Sequence, residues 1–486
     1  MKKIALLICL TLIFTFIVGC SGDTEMSSAK NETAAGLTAS DIYNTDYLPE
    51  YNLGGRNFNI LTWGYPDGIR GQDLGNFFDA NEENGDPIND AIYLRNMTVT
   101  ERFNFKMNVM FFNNADYTAK LNNTIMANDK EFDLFVMHTA QNTQIALKGN
   151  MVINWNDVKC VDLSKPWWNQ SIRELIDING FLPVMVSDYL YSSLVITYAM
   201  IYSKNMLENY KLESIYKMVD ENRWTFDNFR AMTKPLTMDL NGDGKMDDND
   251  QYGYSTNSST HLVALSYGMG IRTISPDKDG APALSLYSEK SVSFVEKLYD
   301  MFYTDQTIYI CQDNVICPIS WDADQVFIQA IYMTDLAFYR KPDADFGVIP
   351  FPKWNESQAQ YHTFTDGMGG VIAIPIYTDD IEMVGAIVEA LSAESRRILL
   401  PAYYDRTLNT KFVRDEESTR MLDIIFAGRV YDFGYLYRPP TDMITSYIQT
   451  LIREKNKNLT SYYESKKPMW TEWFNDIYDV YMEISA

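Results

Sequence analysis

Polar and apolar residues alternate through RNFNILTW (Arg56–Trp63), which places Phe58, Ile60 and Thr62 on one face and predicts a strand ending in the loop GYPDG. The next patterned stretch, NGDPINDAIYLRNMTVTERF, opens with Asp86 as a helix N-cap and Pro87 at the first helical position. A helix is therefore predicted to Phe103, followed by a second strand in KMNVMFF. EFDLFVMH (Glu131–His138) reads as a buried strand, with TAQN after it as a loop. Strand, helix and returning strand imply parallel pairing with crossover helices. In the second half, Val295, Leu298, Tyr299 and Phe302 fall at helical spacing, as do Val384, Ile387, Val388 and Leu391. Short strands are predicted between them in IYMTDLAF (Ile331–Phe338), FGVIPFP (Phe346–Pro352) and GGVIAIP (Gly369–Pro375). The class is α/β. The patterned part, from Tyr47 onward, is about 440 residues long, more than one core usually fills, so two lobes are expected.

The chain begins differently. Met1-Lys2-Lys3 precedes the apolar run IALLICLTLIFTFIV and then Gly19-Cys20, the layout of a secretory signal over residues 1–19. That run is short for a membrane span, which needs about twenty apolar residues. Ile17-Val18-Gly19-Cys20 resembles a bacterial lipobox, which would make Cys20 the lipidated (palmitate-bearing) first residue of the mature protein. A plain signal peptide or an uncleaved anchor is the alternative. Residues 20–46 are small and polar, too poor in apolar surface to offset their ordering entropy, and read as a tether. Without Lys2 and Lys3, 39 basic side chains face 65 acidic ones, a formal charge of −26. Such a field opposes nucleic acid and anionic headgroups and leaves a neutral ligand unconstrained. Cys9 leaves with the signal. Cys311 and Cys317 are spaced for a small-loop disulfide, but with Cys160 the count is odd, and free thiols fit equally well.

No P-loop, GxSxG elbow, HExxH or dinucleotide glycine fingerprint occurs. The three histidines, His138, His261 and His362, offer little for acid–base or metal chemistry. A glycosidase needs only two carboxylates, and the many acidic residues leave room for such a pair. The sharpest local signal is DLNGDGKMDDND, with oxygen donors at the calcium-loop positions Asp239, Asn241, Asp243, Lys245 (carbonyl), Asp247 and Asp250, and Gly244 at the turn. A solvated acidic turn is the competing reading. A single such loop suits a structural Ca2+ staple better than a switch. Loops expected after strands pair aromatic with polar groups: Trp63, Tyr65 and Asp67; His138, Gln141 and Asn142; Asp188 and Tyr189; Trp321; Asp366. Ligands of open α/β sheets collect at strand carboxyl ends, and rings beside carboxylates and amides suit a carbohydrate. Ordinary packing is the alternative for each, and the preferred one for Trp155, Trp167, Trp168, Trp470 and Trp473.

The lipobox, the tether, INDAIYLRN…TERFNF, EFDLFVMHTAQN…LKGNMV and KPWWN together resemble the extracellular solute-binding lipoproteins of bacterial ABC importers, nearest the maltose-binding carbohydrate group. The likeness continues through ITYAMIYSKNMLENYKL, RWTFDNFRAMTK, the calcium-type loop, DFGVIPFPKW and KFVRDEESTRMLDIIFAGRVYDFG. It implies a type II periplasmic-binding-protein-like fold, with an N-lobe of 47–195 and 327–394 and a C-lobe of 196–326 and 395–486. It also implies a non-enzymatic monomer, lipid-anchored on the extracellular face of the cell membrane, or periplasmic where the source has an outer membrane, passing an oligosaccharide to ABC permease subunits. The matching ligand positions are Trp63, Tyr65, Asp67, His138, Gln141, Asn142, Asp188, Tyr189 and Trp321, with Asp366 a weaker match. A surface glycan sensor and a glycoside hydrolase are the other readings.

Overall fold

Strand β1 (Asn57–Trp63) lies between two parallel neighbours, β2 (Lys106–Phe112) and β3 (Leu134–Met137), and β12 (Val371–Ala373) closes the sheet antiparallel to β3. This is the computed structural model of the chain, and it describes residues 44–45, 47–64, 78–257, 260–278, 280–311, 323–337, 339, 345–408, 416–439 and 441–485. The signal and lipidation calls, including Cys20, lie outside the described residues, as do Tyr65, Asp67, Cys317 and Trp321. The expected crossover is present. Helix α1 (Pro87–Phe103) starts at Asp86, whose carboxylate accepts the Ile88 and Asn89 N–H groups at 2.9 and 3.2 Å. It returns the chain to β2, and α2 (Asn114–Met126) returns it to β3.

A second sheet has the order β10-β4-β9-β5-β8, formed by Phe346–Ile349, Tyr198–Ser203, Val326–Tyr332, Tyr252–Asn257 and Ile308–Cys311. Its central strands are buried along their whole length; β4 and β9 are accordingly mostly apolar, whereas β5, YGYSTN, buries polar residues as well. The smaller pairs are β6 (Ile274–Pro276) with β7 (Pro282–Leu284), and β11 (Thr363–Phe364) with β13 (Arg429–Val430). Around this sheet pack α4 (Phe226–Thr233) and α5 (Glu289–Tyr303). The approach of α4 is close. A Cβ on Gly253 of β5 would lie 2.1 Å from the Thr233 carbonyl oxygen, so only glycine fits there.

Three expectations are corrected. TAQN is no loop: α3 (Thr139–Lys148) begins there, with His138 as its N-cap. The strand expected over 331–338 ends at Tyr332 and turns into a 3-10 segment at Met333. The lobe boundaries also move. β9 and β10 belong to the second sheet, so the chain rejoins the first sheet at Val371 rather than near 327. Residues 395–408 then pack with α6 (Ile381–Glu394) and α1 in the first lobe, not in the second.

Helix α7 (Tyr447–Arg453) lies in the second lobe, and α8 (Leu459–Ile484) touches both. Near its start Tyr463 stacks on Tyr287, with centroids 5.1 Å apart. Near its end Tyr481 meets Phe181 edge-on at 6.0 Å, and Asn179 donates to the Ser485 hydroxyl at 2.7 Å. One helix therefore straps the two lobes on the side of the chain's end. Cys311 is disulfide-bonded and Cys160 is a free thiol, half-buried against the backbone of Glu382.

Candidate functional site

The carboxyl ends of β1 and β3 lie side by side, so Trp63 and His138 meet with ring centroids 4.7 Å apart. His138 Nδ1 accepts the Ala140 N–H at 3.1 Å, which leaves the ring proton on Nε2. Burial, with the nearby Arg438 charge adding to it, pushes the imidazole down to about 3, so it is neutral at pH 7. Gly367 faces it so closely that a Cβ there would sit 2.6 Å from His138 Cε1. His138 thus starts α3 and packs Trp63 in place.

Two crossings between the lobes run together at this point. Thr197 pairs antiparallel with Thr365, and the next residue, Asp366, caps the turn Gly367–Gly369. The Asp366 carboxylate is buried, and burial raises its pKa. It accepts the Met368 N–H at 3.2 Å, the Tyr435 hydroxyl at 3.3 Å and the Tyr198 hydroxyl at 3.4 Å. The Tyr332 hydroxyl lies 2.7 Å from that of Tyr198. Phe364 completes the cluster, stacked on Tyr267 at 4.7 Å and edge-on to Tyr435 at 4.8 Å. A carboxylate held by phenols from the second lobe, at a crossing into the first, is a polar hinge inside an aromatic block.

Beside the hinge a cavity of about 1070 Å³ opens between the first turns of α3 and the second lobe. Gln141 and Gln144 line one wall; Arg438, Gln449, Tyr303 and Tyr462 line the other. The structure therefore brings Trp63, His138, Gln141 and Asp366 to one region, with Gln141 on the cavity wall. It leaves three predicted residues elsewhere. Asn142 is fully buried and donates to the Thr118 hydroxyl at 2.9 Å, inside the first lobe. Tyr189 is fully buried between Phe78 and the Arg95 guanidinium, which lies 4.9 Å over its ring. Asp188 is paired with Arg396 at 3.0 Å and belongs to a separate recess beside Trp167 and Arg429. Packing, the plainer alternative, accounts for these three. Arg438, Gln144, Tyr303 and Tyr462 were not anticipated. The run YLYRPP offered a signal for Arg438, because two prolines after an arginine stop a helix and leave the cation in a loop.

The calcium-type loop keeps a tight backbone-bonded form. Asp239 accepts the Gly242 and Gly244 N–H groups at 2.6 and 2.8 Å, Asn241 that of Asp243 at 2.9 Å, and Asp243 that of Lys245 at 2.8 Å. Asp247 accepts the Asn249 N–H at 2.9 Å. Asp250 is fully buried and takes the Leu240 and Asp247 N–H groups at 3.0 and 2.7 Å. Gly244 has φ +80°, the left-handed turn expected at the sixth position. The donors are all oxygen, as a hard cation requires. Yet among the described residues no three acidic, histidine or cysteine side chains gather into a metal-holding group.

No family model and no curated protein matches the chain. Solved structures do. An ABC substrate-binding protein from Listeria monocytogenes in complex with cycloalternan is similar at 13% identity and TM-score 0.53, over 85% of this chain and 99% of that one. A sugar transporter from Rhizobium etli, in an open conformation, is similar at 11% identity and TM-score 0.54, over 82% and 95%. A cyclo/maltodextrin-binding protein complexed with maltotetraose is similar at 14% identity and TM-score 0.52, over 87% and 96%. The shared feature is the fold, two α/β lobes, over 82–87% of this chain.

Proposed function

We propose that the protein is a solute-binding receptor that captures an oligosaccharide in the interlobe cleft and hands it unchanged to an ABC importer. The observation that carries this reading is the cavity of about 1070 Å³ beside the paired crossings, walled by glutamine amides and two tyrosine rings. Amides can exchange hydrogen bonds with sugar hydroxyls, and tyrosine offers both a flat apolar face and a hydroxyl. The volume reaches the top of the range of about 300–1,000 Å³ typical of small-molecule sites, which favours more than one sugar ring. The similar structures that hold cycloalternan and maltotetraose support the same class of ligand.

Binding would work by population shift. A sugar that touches both walls at once binds the closed form better and draws the lobes together about the crossings. Lipid attachment through Cys20 on the outer face of the membrane belongs to the same proposal, as does Ca2+ in the Asp239–Asp250 loop. Calcium would turn carboxylates inward and hold one face of the second lobe rigid. A calorimetric screen of neutral and acidic oligosaccharides tests the central reading. Tight binding without release of reducing sugar supports it; hydrolysis of a bound glycan, or no binding at all, overturns it.

A further inference from the structure

We propose that the cleft is built for an acidic oligosaccharide, with the Arg438 guanidinium receiving a carboxylate or sulfate carried by the sugar; this rests on the carbohydrate reading above. Arg438 lies on the cavity wall that faces Gln141 and Gln144 of α3. It is partly buried, yet its one hydrogen bond among the described residues is a long contact from Nη1 to Met443 Sδ at 3.7 Å. A guanidinium carries five N–H donors in a planar fork, so most of its capacity is unspent. Leaving a partly desolvated cation without an acceptor is costly, and an anion seated against the fork would offset that cost.

The rest of the wall agrees. Arg453, at the end of α7, also lines the cavity and has no carboxylate partner among the described residues. Asp442 is the one carboxylate of the described lining, and it is tied to Lys466 at 2.8 Å. Among the described residues the cavity therefore presents two guanidinium groups without a carboxylate partner and one neutralised acid. This runs against the composition of the chain, where 65 acidic side chains outnumber 41 basic ones. Ala140 and Gln141 bring the first turn of α3 to the same cavity, and the positive end of a helix dipole favours an anion there. The Arg438 charge already reaches across to His138 on the other lobe and helps keep it neutral. An anion placed between the lobes would feel both sides and so favour the closed form.

The test uses the folded chain and matched glycan pairs: oligogalacturonate against its methyl ester, and sulfated against desulfated chondroitin oligosaccharide, with maltotetraose as a neutral reference. Calorimetry should show at least one acidic member binding tenfold or more tightly than its neutralised twin. Which pair responds identifies the source of the charge. Arg438→Gln should weaken that acidic ligand by about 10- to 100-fold, the span of a charge-assisted hydrogen bond. Arg438→Lys should recover part of the loss. The paired comparison on the native chain stands even where a variant folds poorly. Equal affinity within every pair, with Arg438→Gln unchanged, overturns the acidic ligand and leaves the carbohydrate reading intact. Failure of every saccharide to bind overturns both.

Discussion

The Glu389 carboxyl sets a pH dependence that can be worked out from its surroundings. Its side chain, on α6, is fully buried and accepts the Trp168 indole N–H at 2.7 Å together with the Tyr47 hydroxyl. Tyr47 is close to where the patterned chain begins, so this bond anchors the start of the body to its first lobe. Burial outweighs both hydrogen bonds and raises the carboxyl from 4.5 to about 7. A folded-state pKa above the unfolded one means that the native protein holds this proton more tightly. Stability from this group is then complete below pH 4.5 and is lost as pH rises through 7. The shift corresponds to about 3 kcal/mol, at 1.36 kcal/mol for each pKa unit. Glu389→Gln mimics the protonated form, since its amide can accept from Trp168 and donate to the Tyr47 oxygen. Denaturant unfolding from pH 4.5 to pH 8 should show the variant gaining on the parent by about 3 kcal/mol. Other buried acids shift too, so the difference between the two proteins is the quantity to read. A difference that stays constant with pH would refute the reasoning.

Two further outcomes are expected. The Tyr189 hydroxyl is buried and has no hydrogen-bond partner among the described residues, so Tyr189→Phe should leave stability unchanged or raise it by about 1 kcal/mol. Saccharide affinity should not move, and a severalfold loss by calorimetry would return Tyr189 to the ligand site. Adding calcium to the chelated protein should raise the unfolding temperature through the loop at Asp239–Asp250, by the mass action of a ligand that binds only the folded state. Differential scanning calorimetry with no shift up to millimolar calcium would remove the cation from the account.

The first lobe was legible because each of its early elements keeps one signature in full. Asp86 and Pro87 mark a helix start that hydrogen bonds confirm, and the alternation of β1 survives because one face is less buried than the other. Legibility fell where burial is complete. The strand expected over Ile331–Phe338 lies five residues earlier, at Val326–Tyr332, where burial is complete and no alternation marks its bounds. For the same reason nothing in FGVIPFP shows which sheet it joins, and the lobe boundary was misplaced. TAQN read as a loop because His138 is an unusual cap for a helix. At the site, Trp63, His138 and Asp366 could be grouped through the rule that ligands gather at strand carboxyl ends. Arg438 could not, since its place opposite Gln141 depends on how a distant tail folds back against α3. Asp188 and Tyr189 look like a site in sequence. Arg396 and Arg95 claim them in the fold.

Closure of the two lobes on a sugar is the claim on which the functional account stands. Small-angle X-ray scattering, recorded with and without the tightest saccharide from the calorimetric screen, measures it directly. The account predicts a smaller radius of gyration and a shorter maximum dimension when the sugar is bound. Superimposable profiles at saturating sugar would contradict it.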